Sequence, residues 1–376
     1  MVADCADYQT ETVDCAVNNL LAHYGGIQRW VNPGDKVFIK VNLLMKKAPE
    51  AATTTHPCLI ESIIRKVQSV GGEVTLGDSP GGPYTRGLLD SIYRVSGMTG
   101  IAERTGCKLN YDLGSQKVNY DGKIVKSLEI INPYLEADKV ISIGKLKTHM
   151  MMRYTGAIKL HFGLIPGLKK AEYHLRMPDP RDFSELLVDI FECTRPHLSV
   201  LDAVVGMEGN GPSSGVPKFV GCILASENGH ALDVAGASLM GIAPLEIPTI
   251  LRARERGLVS GNIADVEEVG ELLDKYLVKF EDPRVQGVDF TGPRIPKSLK
   301  SLVTKYLQPR PVFMSDKCLG CKVCETVCPA KTVKVDNNRA YFDLDKCIRC
   351  FCCHELCPHQ AIRIKKPWLN RILTRY

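Results

Sequence analysis

Eight cysteines near the end of the chain are spaced for iron–sulfur chemistry. Cys318, Cys321, Cys324 and Cys328 follow the pattern C-x2-C-x2-C-x3-C and are closed by Pro329; Cys347, Cys350, Cys353 and Cys357 repeat it and are closed by Pro358. The short spacings let three successive sulfurs point inward from one loop, while the longer step before proline carries the fourth away. One such run would also suit a zinc knuckle. Two in tandem, each ending in Cys-Pro, favour a pair of [4Fe–4S] clusters.

The two runs are halves of an internal repeat. Asp316-Lys317-Cys318 answers Asp345-Lys346-Cys347, and Cys328-Pro329-Ala330 answers Cys357-Pro358-His359. Lys331 to Asp345 between them reads as a hairpin turning at Asp336-Asn337-Asn338. Over roughly residues 312–364 the chain resembles the bacterial two-cluster ferredoxin domain. The resemblance implies crossed ligation: Cys318, Cys321 and Cys324 share a cluster with Cys357, and Cys347, Cys350 and Cys353 share the other with Cys328. Cys352, an extra thiol inside the second run, is read as a non-ligand.

A second set of chemistry-bearing residues lies far upstream. It comprises Lys40 and Asn42, His56, Asp78 within Gly77-Asp78-Ser79-Pro80-Gly81-Gly82, Lys145, Lys147, Thr148 and His149, Lys159, Asp202 and Glu208. Each has a bland alternative. The glycine-rich stretch lacks the Walker and Rossmann spacings and would serve as a plain tight turn; His56 and His149 would serve as satisfied core histidines. Together they describe a cationic pocket in which Lys40, Asn42, Lys145, Lys147, Lys159, Asp202 and Glu208 bind an anionic substrate. His149, His56 and Asp78 are the candidates for proton transfer.

The elements that must position these residues alternate. Strands are expected at Lys36–Val41, Glu73–Leu76, Lys108–Leu113, Val125–Ile131, Lys139–Ile143, Leu198–Val205 and Phe219–Ala225. Helices are expected at Pro57–Val70, around 86–105, and near 157–165, 182–194, 231–241 and 247–257. This is an α/β pattern, a mostly parallel, mixed sheet covered by helices, followed by a small α+β ferredoxin-like domain. The polar set falls at the carboxyl ends of successive strands, where open α/β sheets bind ligands. The organisation expected is an α/β domain over 1–283, a basic linker over 284–311 with a short helix near 297–307, and the cysteine-rich domain with a basic tail over 312–376.

Lys40-Val41-Asn42, Thr55-His56-Pro57, Gly77 to Gly81, Lys145 to His149, Thr155 to Lys159, Phe162 to Gly167, and Leu201-Asp202 with Glu208 to Pro212 are similar to the signature stretches of the domain-of-unknown-function 362 family. The match runs over most of residues 30–245 and departs at Leu160, where asparagine is expected. Members of that family often carry an attached ferredoxin domain. The resemblance implies domain identity and leaves the reaction class open.

Composition narrows the classes. The chain has 376 residues and a net charge of +6. Its longest apolar runs fall far short of the roughly 20 residues that cross a bilayer. Residues 297–310 and 363–376 carry Lys297, Lys300, Lys305, Arg310, Arg363, Lys365, Lys366, Arg371 and Arg375 and no acid. These segments suit an acidic electron donor, peripheral contact with anionic lipid, or simple solvation. No basic, aromatic-interleaved motif points to nucleic acid. The start of the chain has no export signal, and the scattered single cysteines suit a reducing, anaerobic cytoplasm. No Gly-x-Gly-x-x-Gly indicates bound NAD or FAD, which leaves room only for a flavin held in another way.

The leading reading is an iron–sulfur reductase passing electrons from an external low-potential donor to an anionic small organic substrate. A carrier or partner-binding subunit is the second reading, and a cluster-assembly or sensor protein the third. For the reductase, the cysteine-rich domain must pack with one cluster facing the pocket, pinned by the 297–307 helix and the tail with Trp368 and Leu369. Oligomeric state is open.

Overall fold

The computed structural model describes residues 1–283 and 309–365. The helix expected near 297–307, most of the linker and the tail with Trp368 and Leu369 lie outside the described residues.

The strands are β1 (Val2–Asp4), β2 (Lys36–Val41), β3 (Glu73–Gly77), β4 (Lys108–Leu109), β5 (Ser115–Asn119), β6 (Ser127–Ile131), β7 (Lys139–His149), β8 (Arg153–Thr155), β9 (Leu198–Glu208), β10 (Val216–Ser226), β11 (Arg310–Phe313), β12 (Val333–Asp336), β13 (Arg339–Phe342) and β14 (Ile362–Lys365). One mixed sheet runs β1-β10-β9-β7-β2-β3-β4, with β8 paired to the far end of β7. Its five central strands are parallel; β10 and β1 add an antiparallel edge. Central strands such as Val37-Phe38-Ile39 and Val140-Ile141 are buried on both faces because helices cover both sides, which selects continuous β-branched runs over alternation.

Helices Thr10–Ala22, Pro57–Ser69, Arg86–Val95 and Met98–Thr105 close one face. Helices Pro180–Cys193, Gly229–Leu239 and Pro248–Glu255 close the other. The chain winds from β2 through β3 to β4 in one direction and from β7 to β9 in the other. Hydrogen-bonded neighbours β2 and β7 therefore flank the point where strand order reverses, which opens a crevice at their carboxyl ends.

Several expectations change in detail. The helix read over 86–105 is two, interrupted where Gly97 takes a φ of 83°. The strand read at 108–113 pairs only over Lys108–Leu109, and the one at 125–131 belongs to a separate hairpin, β5 with β6. Strands β7 and β9 run to His149 and Glu208, well beyond the segments read, and so carry the polar residues into the crevice.

In the cysteine-rich half, β11 pairs with β14 and β12 with β13, the latter being the expected hairpin. Short helices Val323–Thr326 and Cys352–Glu355 follow equivalent cysteines. Left-handed φ values recur at matching places, Lys322 with Phe351 and Lys331 with Gln360, so the repeat extends to the backbone.

A candidate interdomain site

The chain places its cysteines in two sets of four. Cys318, Cys321, Cys324 and Cys357 border one cavity; Cys328, Cys347, Cys350 and Cys353 border another. Backbone amides point at the sulfurs: Thr332 N donates to Cys328 Sγ and Ala361 N to Cys357 Sγ, each at 3.2 Å. Amide donors aimed at sulfur suit thiolates bound to iron, whose potentials such hydrogen bonds tune. The donor set therefore fits iron–sulfur ligation, in the crossed grouping. Cys352 borders neither cavity.

Cys352 instead lines a separate cleft, together with Val327, Glu355 and Leu356 from the same half. The opposite walls come from the carboxyl ends of the strands: Asn42 after β2, Asp78 and Ser79 after β3, Lys145 and Lys147 on β7, and Lys159, Lys170 and His174 beyond β8. The space is about 900 Å³ and opens to solvent. Two contacts fix the seam. Ser213 Oγ donates to Glu355 O, and Leu356 lies so close to Gly81 that any side chain at that position would strike it.

Local structure sets each side chain. Alternation along β7 sends Lys145, Lys147 and His149 to the same side of the strand. Lys145 Nζ donates to Asp202 Oδ2 at 2.9 Å and to Tyr8 Oη at 2.7 Å, and Tyr8 Oη donates to Asp202 Oδ1 at 2.7 Å. Lys147 Nζ donates to Thr53 O at 2.7 Å. Lys170 Nζ donates to Ser79 O and Ser79 Oγ at 2.8 and 2.9 Å. Burial lowers Lys147 to about 7, helped by the Lys159 charge, and burial likewise lowers Lys170 to about 7.

His149 is held in one tautomer. Its Nδ1 accepts from Met151 N and Met152 N at 3.1 and 3.2 Å, so in the neutral ring the proton sits on Nε2. That nitrogen is buried, has no hydrogen-bond partner among the described residues, and lies 3.8 Å from Glu355 Oε2. Burial and the charges of Lys159, His174 and Lys147 hold its pKa well below the usual imidazole range.

Five expected site residues do not border the cleft, and His149 is one of them: its buried Nε2 stands behind the wall that Glu355 forms. His56 does not border the cleft: it caps helix Pro57–Ser69 through Nδ1, which accepts from Cys58 N at 3.3 Å, and its ring stacks on Tyr8 at 3.5 Å. Lys40 is sealed beneath Asp78, with Nζ 2.7 Å from Asp78 Oδ1. Glycine stands at position 163, where a Cβ would collide with that pair. Asp202 is fully buried and anchors Lys145 and Tyr8 instead of touching the cleft. Glu208 sits at the end of β9, accepting from Glu281 N at 2.8 Å. Asp78 does border the cleft, but as the ion-pair partner of Lys40 and the acceptor for Leu43 N at 2.7 Å it is tied to structure.

Sequence reading missed Tyr8, Lys170, His174, Cys352 as a cleft residue, and Glu355. Tyr8 and Glu355 reach the cleft region from opposite ends of the chain, which no local pattern signals. Lys170 and His174 stand on helix Lys169–Arg176, which is amphipathic but only eight residues long, barely two turns for a pattern to show in.

Comparison with known proteins gives a consistent picture. The model of the family described as Domain of unknown function (DUF362) matches residues 37–238, and that of the 4Fe-4S dicluster domain matches residues 310–358. The thylakoid-associated protein sll1697 of Synechocystis sp. is 31% identical over 252 residues, covering 67% of this chain and 77% of that protein. Among solved structures, the lactate racemase apoprotein from Thermoanaerobacterium thermosaccharolyticum aligns with a TM-score of 0.41 at 14% identity, over 65% of this chain and 57% of that one. A Thermotoga maritima protein aligns with a TM-score of 0.35 at 11% identity, over 66% and 58%. No described helix is long and apolar enough to cross a membrane.

Proposed function

We propose that this chain, which belongs to the DUF362 family and carries an iron–sulfur dicluster domain, is a reductase for an anionic small organic substrate. One observation carries the reading: Cys352, Glu355 and Leu356 of the cysteine-rich half form a wall of the same cleft that Lys145, Lys147, Lys159 and Lys170 line. A carrier that only hands electrons to another protein gains nothing from such a shared wall.

Two [4Fe–4S] clusters, held by the two four-cysteine sets, would supply single electrons at low potential. The electrons come from an external donor, to which exposed Leu319 and Cys321 would be accessible. In the cleft, Lys147 and Lys159 hold the substrate anion. His149, behind the wall that Glu355 forms, would present its neutral Nε2–H to the oxygen on which negative charge develops once the Glu355 side chain turns aside. Its lowered pKa suits it to that role and not to proton release. Lys147, kept protonated by the bound anion, is the proton donor for the two-electron reduction, with the second proton drawn from water. A reducing cytoplasm suits this chemistry.

The test is anaerobic. The protein is reduced, anionic metabolites are added one at a time, and the return of cluster absorbance is followed. A substrate should reoxidise wild type and leave Lys147→Ala reduced, although that variant keeps its iron. Reoxidation at equal rates in both would favour the carrier subunit.

A further inference from the structure

Two ion pairs at the cleft cancel internally, Lys145 with Asp202 and Lys40 with Asp78. Its walls then hold Lys147, Lys159 and Lys170 against the carboxylate of Glu355. None of these three ammonium groups has a carboxylate within ion-pair distance among the described residues. Lys147 and Lys170 donate to Thr53 O and Ser79 O, and Lys159 Nζ stands 5.7 Å from the centroid of the Phe162 ring. A buried space with an excess of two positive charges is costly until a counter-charge arrives. Burial lowers Lys147 and Lys170 from the usual ammonium range, which expresses that cost. The rest of the lining is largely apolar: Leu44, Leu160, Phe162, Leu168 and Leu356.

We propose that the cleft takes a doubly charged oxyanion head, a phosphate monoester or a dicarboxylate, carried on an apolar body, and that Glu355 limits the head to two charges. This rests on the anionic-substrate reading of the same cleft and adds the charge and shape of the ligand. Glu355 acts by repulsion: a third negative charge would face its carboxylate across the seam. Selection against a more highly charged ligand thus comes from the cysteine-rich half, while attraction comes from the α/β domain.

The experiment measures binding without turnover. Full-length protein, loaded with iron anaerobically and left oxidised, is titrated calorimetrically with phenyl phosphate, phthalate, benzoate and inorganic phosphate. At least one of the two aromatic dianions should bind about tenfold or more tightly than benzoate, which has the ring and one charge. It should exceed inorganic phosphate, which lacks the ring, by a similar factor. The stronger of the two dianions identifies the head group. Lys159→Gln should lose about tenfold for that dianion. Glu355→Gln, with unchanged iron content, should tighten it severalfold and newly admit benzene-1,2,4-tricarboxylate. Benzoate matching both dianions, or Glu355→Gln leaving the affinities unchanged or weaker, would overturn the inference. The ranking of ligands on wild type stands even if a variant misfolds. If dianions bind but no anion reoxidises the reduced protein, the reductase reading fails alone. If a monoanion reoxidises it while dianions do not bind, this inference fails alone.

Discussion

His149 Nε2 faces Glu355 Oε2 at 3.8 Å, so an imidazole from the α/β half and a carboxylate from the cysteine-rich half meet across the seam without closing a hydrogen bond. At that separation no atom fits between them, so a substrate oxygen reaches the Nε2–H only when the Glu355 side chain turns aside. His149→Phe should keep the iron and lower the rate of substrate-driven reoxidation by about a hundredfold, the usual effect of removing one preorganised donor. His149→Gln, which retains an N–H at similar reach, should recover part of that loss. A stopped-flow comparison of the two decides it, because a purely structural histidine would give no rescue.

Iron content and spectroscopy test the crossed grouping of thiols. Wild type should carry about eight irons, four for each cubic cluster. Cys357→Ala should abolish the same electron paramagnetic signal as Cys318→Ala, although the two residues belong to different halves of the repeat. Cys352→Ala should leave both signals in place. Loss of different signals in the first two variants would refute the grouping.

The lowered lysines make ligand binding pH-dependent in a definite direction. Lys147 faces Lys159, Glu355, Lys145 and Asp78; Lys170 faces Asp78, Lys40 and Lys159. Both titrate near 7 in the empty site, and a bound anion raises them. Binding therefore takes up protons: affinity is greatest below about 7 and falls as pH rises through the bound-state values. With a dicarboxylate, whose own ionisation is complete in this range, the affinity should drop by up to about tenfold per pH unit for each lysine. Calorimetry in buffers of different ionisation heat should register the uptake; none would indicate that neither lysine meets the ligand.

Stability should hinge on Asp233. Its carboxylate accepts from Ala157 N at 2.6 Å, Ile158 N at 3.1 Å and Tyr154 Oη at 3.1 Å, all buried. Asp233→Ala would strand three donors and cost about 3 kcal/mol or more, with Asp233→Asn costing less. Denaturant midpoints measure both. Because these bonds anchor the turn that begins helix Ala157–Leu160, Asp233→Ala should also weaken anion binding through Lys159.

Much of this arrangement was legible in the sequence, for reasons that differ by region. The cysteine runs declare themselves because iron–sulfur ligation demands fixed spacing. The central strands do so because burial on both faces demands unbroken apolar runs, and Lys145, Lys147 and Lys159 then fall where such strands end. What stayed hidden was the content of side-chain polarity. Asp202 and Lys40 look like ligand-binding residues, yet each spends its charge on a buried partner, and only the fold reveals which lysines are left over. His56 reads as a proton-transfer candidate when grouped with the other polar residues, but its ring nitrogen caps a helix start. Tyr8 and Glu355 depend on contacts between opposite ends of the chain, which periodicity does not encode.

The close approach of Leu356 to Gly81 carries a consequence for assembly. Helix Cys352–Glu355 follows Cys350, contains Cys353 and ends two positions before Cys357, so bound metal would shape the stretch that completes the cleft. On the function proposed above, a chain that has not yet received iron would lack a settled wall for the cleft, so metal loading would come before substrate capture.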